Sequence, residues 1–208
     1  MPRMPREEAE ELFQPYGSAL VECVLGAVDD YFTQYAPRLR AAHSPRTRAN
    51  IIRDHIIERM IATFSEMGGV NIVRNATKGR YTLLSVQGRA LNRFKYLGPR
   101  KRSKNVRTKL ARAFTNNQAV IEGFPPEATR FDIGYTWNFL QTAVQSVSIS
   151  CPTPTGVEYV IELWNDGTPR TIPLPIPEIT PVVAGDQGTA VVARDERLDT
   201  ARGADAAS

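Results

Sequence analysis

The spacing of apolar residues changes its period along this chain, and that change constrains the fold more than any other feature. Up to Phe64 the apolar residues recur every three or four positions, which is typical of helices that bury one face. From Phe131 onward they alternate with polar residues, which is typical of strands with one buried face. The pattern predicts an α+β fold, in which two N-terminal helices pack on a mainly antiparallel sheet of about five or six strands.

Proline, serine and glycine delimit the two predicted helices. The first apolar stripe runs from Leu12 to Tyr35, and we expect its helix to begin or break at Pro15 because proline cannot continue a helical hydrogen-bond ladder. The second helix is predicted to begin at Pro45, after Ser44 as N-cap, and to stop at Gly68. Its buried stripe is predicted to consist of Ile52, Ile56, Ile57, Met60, Ile61 and Phe64.

Short segments bounded by glycine, proline or polar turns predict the strands. The predicted strands are Val70–Arg74, Tyr81–Val86, Leu91–Leu97, Phe131–Trp137, Val147–Cys151 and Val157–Leu163. Between the third and the fourth, Arg100–Phe114 has a narrow apolar face and predicts an inserted, solvent-facing basic helix.

The composition changes again near Gly167. Repeated prolines follow, and then a stretch rich in Ala, Asp, Arg and Gly with few large apolar residues. Such a segment buries too little apolar surface to offset the entropy of ordering it. We therefore predict a single α+β domain at residues 1–167 and a Pro-rich, then low-complexity tail at residues 168–208, expected to be disordered.

Charge is distributed very unevenly. Between Met67 and Ile121 the chain has 13 Lys and Arg residues and no Asp or Glu, whereas the rest of the chain has 13 basic and 22 acidic residues. The formal net charge of +4 thus conceals a strongly positive middle. A surface of one sign attracts polyanions and steers their approach, so the middle of the chain is predicted to bind a polyanion.

The residue types in this span suit phosphate, because guanidinium, ammonium and short polar side chains all donate hydrogen bonds to phosphate oxygens. The predicted partner is nucleic acid, either DNA or RNA. The alternative is an acidic partner protein, such as a toxin or a peptidase encoded alongside. The predicted nucleic-acid-binding residues are Arg89, Arg93, Lys95, Arg100, Lys101, Arg102, Lys104, Arg107, Lys109 and Arg112.

Arg48 and His55 form a second candidate site, with a spacing that resembles the short Arg-x6-His motif of HEPN ribonucleases. That resemblance implies that both side chains act on a scissile phosphate. The β-rich remainder of the chain does not match the all-helical HEPN bundle, so a structural role for this histidine at a helix boundary is the main alternative.

No other pattern indicates a reaction. The chain lacks a His, Cys and carboxylate cluster with metal-ligand spacing, and it lacks a phosphate-binding glycine loop. We expect no cofactor, no metal and no catalytic residue, and hence a non-enzymatic protein. Cys23 and Cys151 are predicted to be isolated buried thiols. The absence of a long apolar run and of a secretory signal at the N-terminus predicts a cytoplasmic protein without membrane association.

The span from Arg46 to Leu163 resembles a loose group of bacterial and phage proteins encoded beside a helix-turn-helix repressor and an ImmA-like metallopeptidase. The matching features are the Ile-rich helix ending at Gly68, the strand pair up to Tyr96, the Lys104-Asn105-x-x-Thr108 region and the closing ladder from Gly134 to Leu163. The resemblance implies a role in mobile-element regulation, toxin–antitoxin pairing or phage defence, and it implies no particular site residue.

Overall fold

The N-terminal part of the chain, where apolar residues recur every three or four positions, forms four α-helices before the first strand. The computed structural model describes residues 2–75, 81–103, 108–117 and 125–165. The helices are α1 (Arg6–Phe13), α2 (Gly17–Gln34), α3 (Pro37–Ala42) and α4 (Pro45–Phe64). A 3-10 turn at Gln14–Tyr16 separates α1 from α2, so the break expected at Pro15 is confirmed.

Helix α4 begins where its sequence predicts. The Ser44 hydroxyl accepts a hydrogen bond from the backbone N–H of Thr47 at 3.1 Å, and Pro45 occupies the first turn, where its missing N–H costs nothing. The helix ends at Phe64, four residues before Gly68. Gly69 then turns the chain into the sheet with φ +78°, a conformation that glycine adopts without steric cost.

In the described part of the chain, six strands form one sheet in sequence order. They are β1 (Val70–Asn75), β2 (Tyr81–Val86), β3 (Ala90–Tyr96), β4 (Thr129–Trp137), β5 (Val144–Pro152) and β6 (Val157–Asn165). Among the described strands, β3 and β4 run parallel, with Phe94 opposite Ile133, and the other four pairings are antiparallel. The predicted mainly antiparallel α+β fold is therefore confirmed.

The main core lies between the N-terminal helices and one face of the sheet. Helices α2 and α4 contribute residues such as Leu20 and Ile52, which pack with Phe94, Ile133 and Ile149 from the strands. Each such side chain contributes about 1.5–3 kcal/mol when fully buried. This face fixes the register of the strands, because a one-residue slip would expose its apolar set.

Two short pieces of the described chain cover the second face of the sheet. One is helix α5 (Lys109–Thr115), whose Phe114 packs with Leu83 and Leu91. The other is the covering segment, Leu97–Ser103, whose two ends pair with each other in an isolated bridge. The predicted basic helix is wrong over Arg100–Ser103, where the chain instead turns back on itself; helix α5 begins only at Lys109.

The start of α5 has a local cause. The Thr108 hydroxyl caps the helix by accepting a hydrogen bond from the backbone N–H of Ala111 at 3.1 Å. Residues 104–107 lie outside the described residues, as does the predicted tail at 168–208. No helix among the described residues has both the length and the apolar character needed to cross a bilayer.

Candidate functional site

The predicted basic residues do not form one surface, and Arg93 shows why. Strand alternation places it on the second face of the sheet, away from Phe94, but the side chain is only 3% exposed. Its Nε donates to Asp132 Oδ1 at 2.5 Å and its Nη2 donates to Asp132 Oδ2 at 3.2 Å. The guanidinium also lies 4.0 Å from the centroid of the Phe114 ring. Arg93 is therefore a buried structural charge that a phosphate cannot reach.

Lys101 also points inward. It has φ +54°, and its ammonium donates to the hydroxyl of Ser146, to that of Ser148 at 3.2 Å and to Glu162 Oε1 at 3.4 Å. In return, the Ser150 hydroxyl donates to the Lys101 carbonyl at 2.7 Å. These contacts bind the covering segment to the row of serines on the second face of β5, so the Lys101 charge is neutralised internally.

Two further predicted cations have partners or are partly buried. Arg89 is exposed at the start of β3 but donates to the carboxylate of Glu8 on α1. Lys95 is half-buried beside Arg93, and desolvation, reinforced by the Arg93 charge, lowers its pKa to about 8. Both residues are thus poorer phosphate ligands than their charge suggests. Lys104 and Arg107 lie outside the described residues, and their place in the site stays a prediction.

Besides Arg89, four described members of the predicted set are exposed: Arg100, Arg102, Lys109 and Arg112. Arg102 and Arg112 line a cleft of about 570 Å³ between helix α5 and the β5–β6 turn, which we call the basic cleft. Lys109 lies three residues before Arg112 and therefore on the same side of α5. The described residues that line the basic cleft are Arg102, Ser103, Ala111, Arg112, Thr115, Asn116, Pro152, Thr153, Pro154, Thr155 and Gly156.

The basic cleft has the chemistry of an anion site. Among the described lining residues there is no Asp or Glu, whereas hydroxyls and an amide surround the two guanidinium groups. Arg102 is held in place because its Nη1 donates to the Thr155 carbonyl at 3.0 Å and its Nη2 donates to the Pro154 carbonyl at 3.2 Å. A fixed guanidinium keeps further N–H groups for a phosphate oxygen and loses little entropy on binding.

The wall of the basic cleft opposite α5 was not predicted as part of a site. It comes from the β5–β6 turn, where the Thr153 hydroxyl accepts from the backbone N–H of Gly156 at 2.9 Å. In the sequence this segment indicates only a turn, because nothing local shows that Arg102, about fifty positions earlier, anchors to its carbonyls.

Arg48 and His55 are placed on the same side of α4 but contact different groups. The Arg48 guanidinium lies 5.1 Å from the Trp137 ring centroid and donates to Gln141. The His55 ring lies 6.3 Å from the Tyr35 ring, with its Nδ1 at 4.0 Å from Glu58. At about 1.5 Å of rise per residue, their backbones are ~10 Å apart along the helix. Arg48 is thus engaged in an aromatic contact. Ribonuclease chemistry by Arg48 and His55 stays a prediction.

The cysteines and acids provide no further centre in the described part of the chain. Cys23 and Cys151 are free and buried, as predicted. Burial raises the pKa of Cys23, and it raises that of Cys151 to about 11, so both thiols stay protonated and unreactive at neutral pH. Within the described residues no group of three or more His, Cys, Asp or Glu side chains is placed to hold a metal ion.

The chain matches no family model, no curated protein and no solved structure. Its function is therefore inferred from its own residues and their geometry.

Proposed function

We propose that this is a cytoplasmic, non-enzymatic nucleic-acid-binding protein that contacts phosphates through the basic cleft. The observation that carries the proposal is that Arg102 and Arg112 both line a cleft whose described lining has no carboxylate. Exposed Arg100 and Lys109 extend the positive surface beyond the cleft. Arg93 and Lys101, also among the predicted cations, serve another role, since they stabilise the second face of the sheet.

Electrostatics dominate such a contact. Each phosphate neutralised releases condensed counterions, so the affinity should fall linearly with salt on logarithmic axes, by a slope of about −0.9 per phosphate for duplex DNA. Contacts to the phosphate backbone do not discriminate sequence. We propose binding with little sequence preference through these residues.

The test is fluorescence anisotropy of labelled DNA and RNA across a salt series. Arg112→Ala should weaken binding about equally for all sequences and reduce the salt slope by about one unit, because it removes one phosphate contact. Arg38→Ala is the matched control, since Arg38 is equally charged and exposed but lies on α3, outside the acid-free span.

Equal effects of the two substitutions would contradict the assignment to the basic cleft. No binding by the wild-type protein at low salt would overturn the proposal and direct attention to an acidic partner protein. The resemblance to proteins encoded beside a repressor and a metallopeptidase supports an accessory or regulatory role in a mobile-element or phage-defence locus. Inspection of the neighbouring genes tests that role.

A further inference from the structure

A second cleft, of about 750 Å³, lies at the other end of strand β5, and no part of the proposed function uses it. We call it the aromatic cleft because Tyr96, Trp137 and Phe139 line it. Polar side chains complete the described lining, among them Gln145, Asn165 and the Lys101–Glu162 pair. The combination of aromatic side chains with a few polar groups is typical of sites for small planar ligands or their equivalents within polymers.

Phe139 is the most unusual residue of this cleft. Phe139 is 98% exposed, although burying a phenylalanine contributes about 1.5–3 kcal/mol. The turn that carries it is well held, because the Asn138 carboxamide oxygen accepts from the backbone N–H groups of Thr142 and Ala143 at 2.9 and 3.3 Å. The protein thus presents an open aromatic face on a fixed support, at the mouth of a cleft.

The charges of the aromatic cleft favour a neutral ligand. Among the described lining residues Lys101 is the one cation, and its ammonium is already bonded to two serine hydroxyls and to Glu162, so it is poorly placed to take a phosphate. Gln145 and Asn165 are exposed carboxamides, which offer a donor and an acceptor each. A planar group with its own donors and acceptors at the edge matches these features, and a nucleobase is such a group.

The two clefts are neighbours on the same surface. Lys101 lines the aromatic cleft and Arg102, the next residue, lines the basic cleft. Along β5, Ser146 lines the aromatic cleft and Pro152 lines the basic cleft. At about 3.3 Å per residue these two positions are ~20 Å apart, a distance that a few nucleotides can span.

We infer that the protein binds single-stranded nucleic acid, with phosphates in the basic cleft and an unstacked base against Phe139 in the aromatic cleft. The inference rests on the proposed function and deepens it by naming the strand type. In a duplex the base faces are stacked on one another and the edges are paired, so only a single strand can present a base to Phe139.

The test compares Phe139→Ala with Leu140→Ala, using a fluorescein-labelled oligothymidylate of about 12 nucleotides, a length within the ~4–16 that single-strand sites cover. Leu140 is the matched control because it is the next residue of the same turn and 73% exposed, yet it does not line the cleft. Phe139→Ala should weaken single-strand binding about 5- to 150-fold through loss of one stacked base. Phe139→Trp should retain it, and duplex binding should change for none of the three variants.

The outcomes separate this inference from the proposed function. Single-strand affinities that are equal for the wild type, Phe139→Ala and Leu140→Ala would overturn the inference while leaving phosphate binding intact. If Phe139→Ala lost equal affinity for single-stranded and duplex probes, the inference would also be overturned, since stacking cannot explain weaker duplex binding. Failure of the wild-type protein to bind any probe at low salt would instead remove the proposed function, and this inference with it.

Discussion

At the scale of single residues, the same positive charge has different consequences at different depths. Arg112 is exposed on α5, whereas Arg93 is enclosed by Asp132 and Phe114. Moving a charged side chain out of water is costly unless a partner compensates its charge. Removing one partner of a buried ion pair therefore leaves an uncompensated charge in a poorly hydrated place. Arg93 and Asp132 are therefore expected to matter for stability, and Arg112 for binding.

Asp132→Ala should lower the free energy of unfolding by about 3–5 kcal/mol, because Arg93 then loses its partner inside the protein. The matched control is Asp54→Ala, which removes the carboxylate of the exposed Arg53–Asp54 pair and should cost less than about 1 kcal/mol. Urea denaturation of both variants measures the difference. Similar losses for the two variants would contradict a buried structural role for Arg93.

Lys95 makes stability depend on alkaline pH. Burial, followed by repulsion from Arg93, lowers its pKa in the folded protein from 10.5 to about 8, against some attraction from Asp132. Between about pH 8 and pH 10.5 the unfolded chain therefore binds more protons at this position than the folded one. Stability must rise with pH in that window, by on the order of 3 kcal/mol from this group.

Lys95→Met removes that dependence. The variant should be more stable than the wild type at pH 7, because the wild type carries the cost of a poorly solvated ammonium there. The difference should narrow as the pH rises from about 8 and should close above 10.5, where the lysine becomes neutral in the unfolded chain as well. Chemical denaturation of both proteins at several pH values measures the gap; a gap that does not change with pH would contradict the lowered pKa.

At the scale of elements, the parallel β3–β4 pair depends on a glycine. A Cβ built on Gly134 would lie 1.7 Å from the carbonyl oxygen of Lys95, which is a backbone atom of the neighbouring strand. Neither strand can move without breaking the register that places Phe94 opposite Ile133. The position thus requires close backbone approach, which is one of the few roles of glycine inside a strand.

Gly134→Ala should lower the free energy of unfolding by more than about 3 kcal/mol, at or beyond the upper end of ordinary overpacking. Gly156→Ala is the control, since its added Cβ would come no closer than 4.0 Å to any neighbour, the Thr153 hydroxyl. It should change stability by less than about 0.5 kcal/mol, as surface substitutions usually do. Thermal unfolding of the two variants measures the difference in stability. A Gly134→Ala protein as stable as the wild type would show that the strands can separate locally.

The serines of β5 show what an alternating pattern leaves open. Ser146, Ser148 and Ser150 alternate with apolar residues, which predicts a strand with its polar side toward water. In the structure all three serines are buried beneath the covering segment. The small side chains at every second position were the available sign that this face is covered, because they allow a second layer of chain to approach closely. The pattern does not say which segment supplies that layer.

At the scale of the whole molecule, folding divides the basic span into structural and exposed charges. Arg89 is paired with Glu8, Arg93 with Asp132, and Lys101 with Glu162. Among the described cations, those that remain for a partner are a smaller set around the basic cleft, on the face of the sheet opposite the main core. The proposed binding surface is therefore narrower than the 55-residue span from which it was predicted, and it has an aromatic cleft beside it.

The sequence by itself determined the α+β class, the break at Pro15, the start of α4 and the approximate strands, because periodicity, caps and prolines act over a few neighbouring residues. Only the tertiary structure decided which charges stay available. The partners of Arg93, Lys101 and Arg89 lie 39, 61 and 81 positions away along the chain. Burial and Coulomb attraction depend on distance through space, so no local pattern could separate the structural arginines from those that can meet a phosphate.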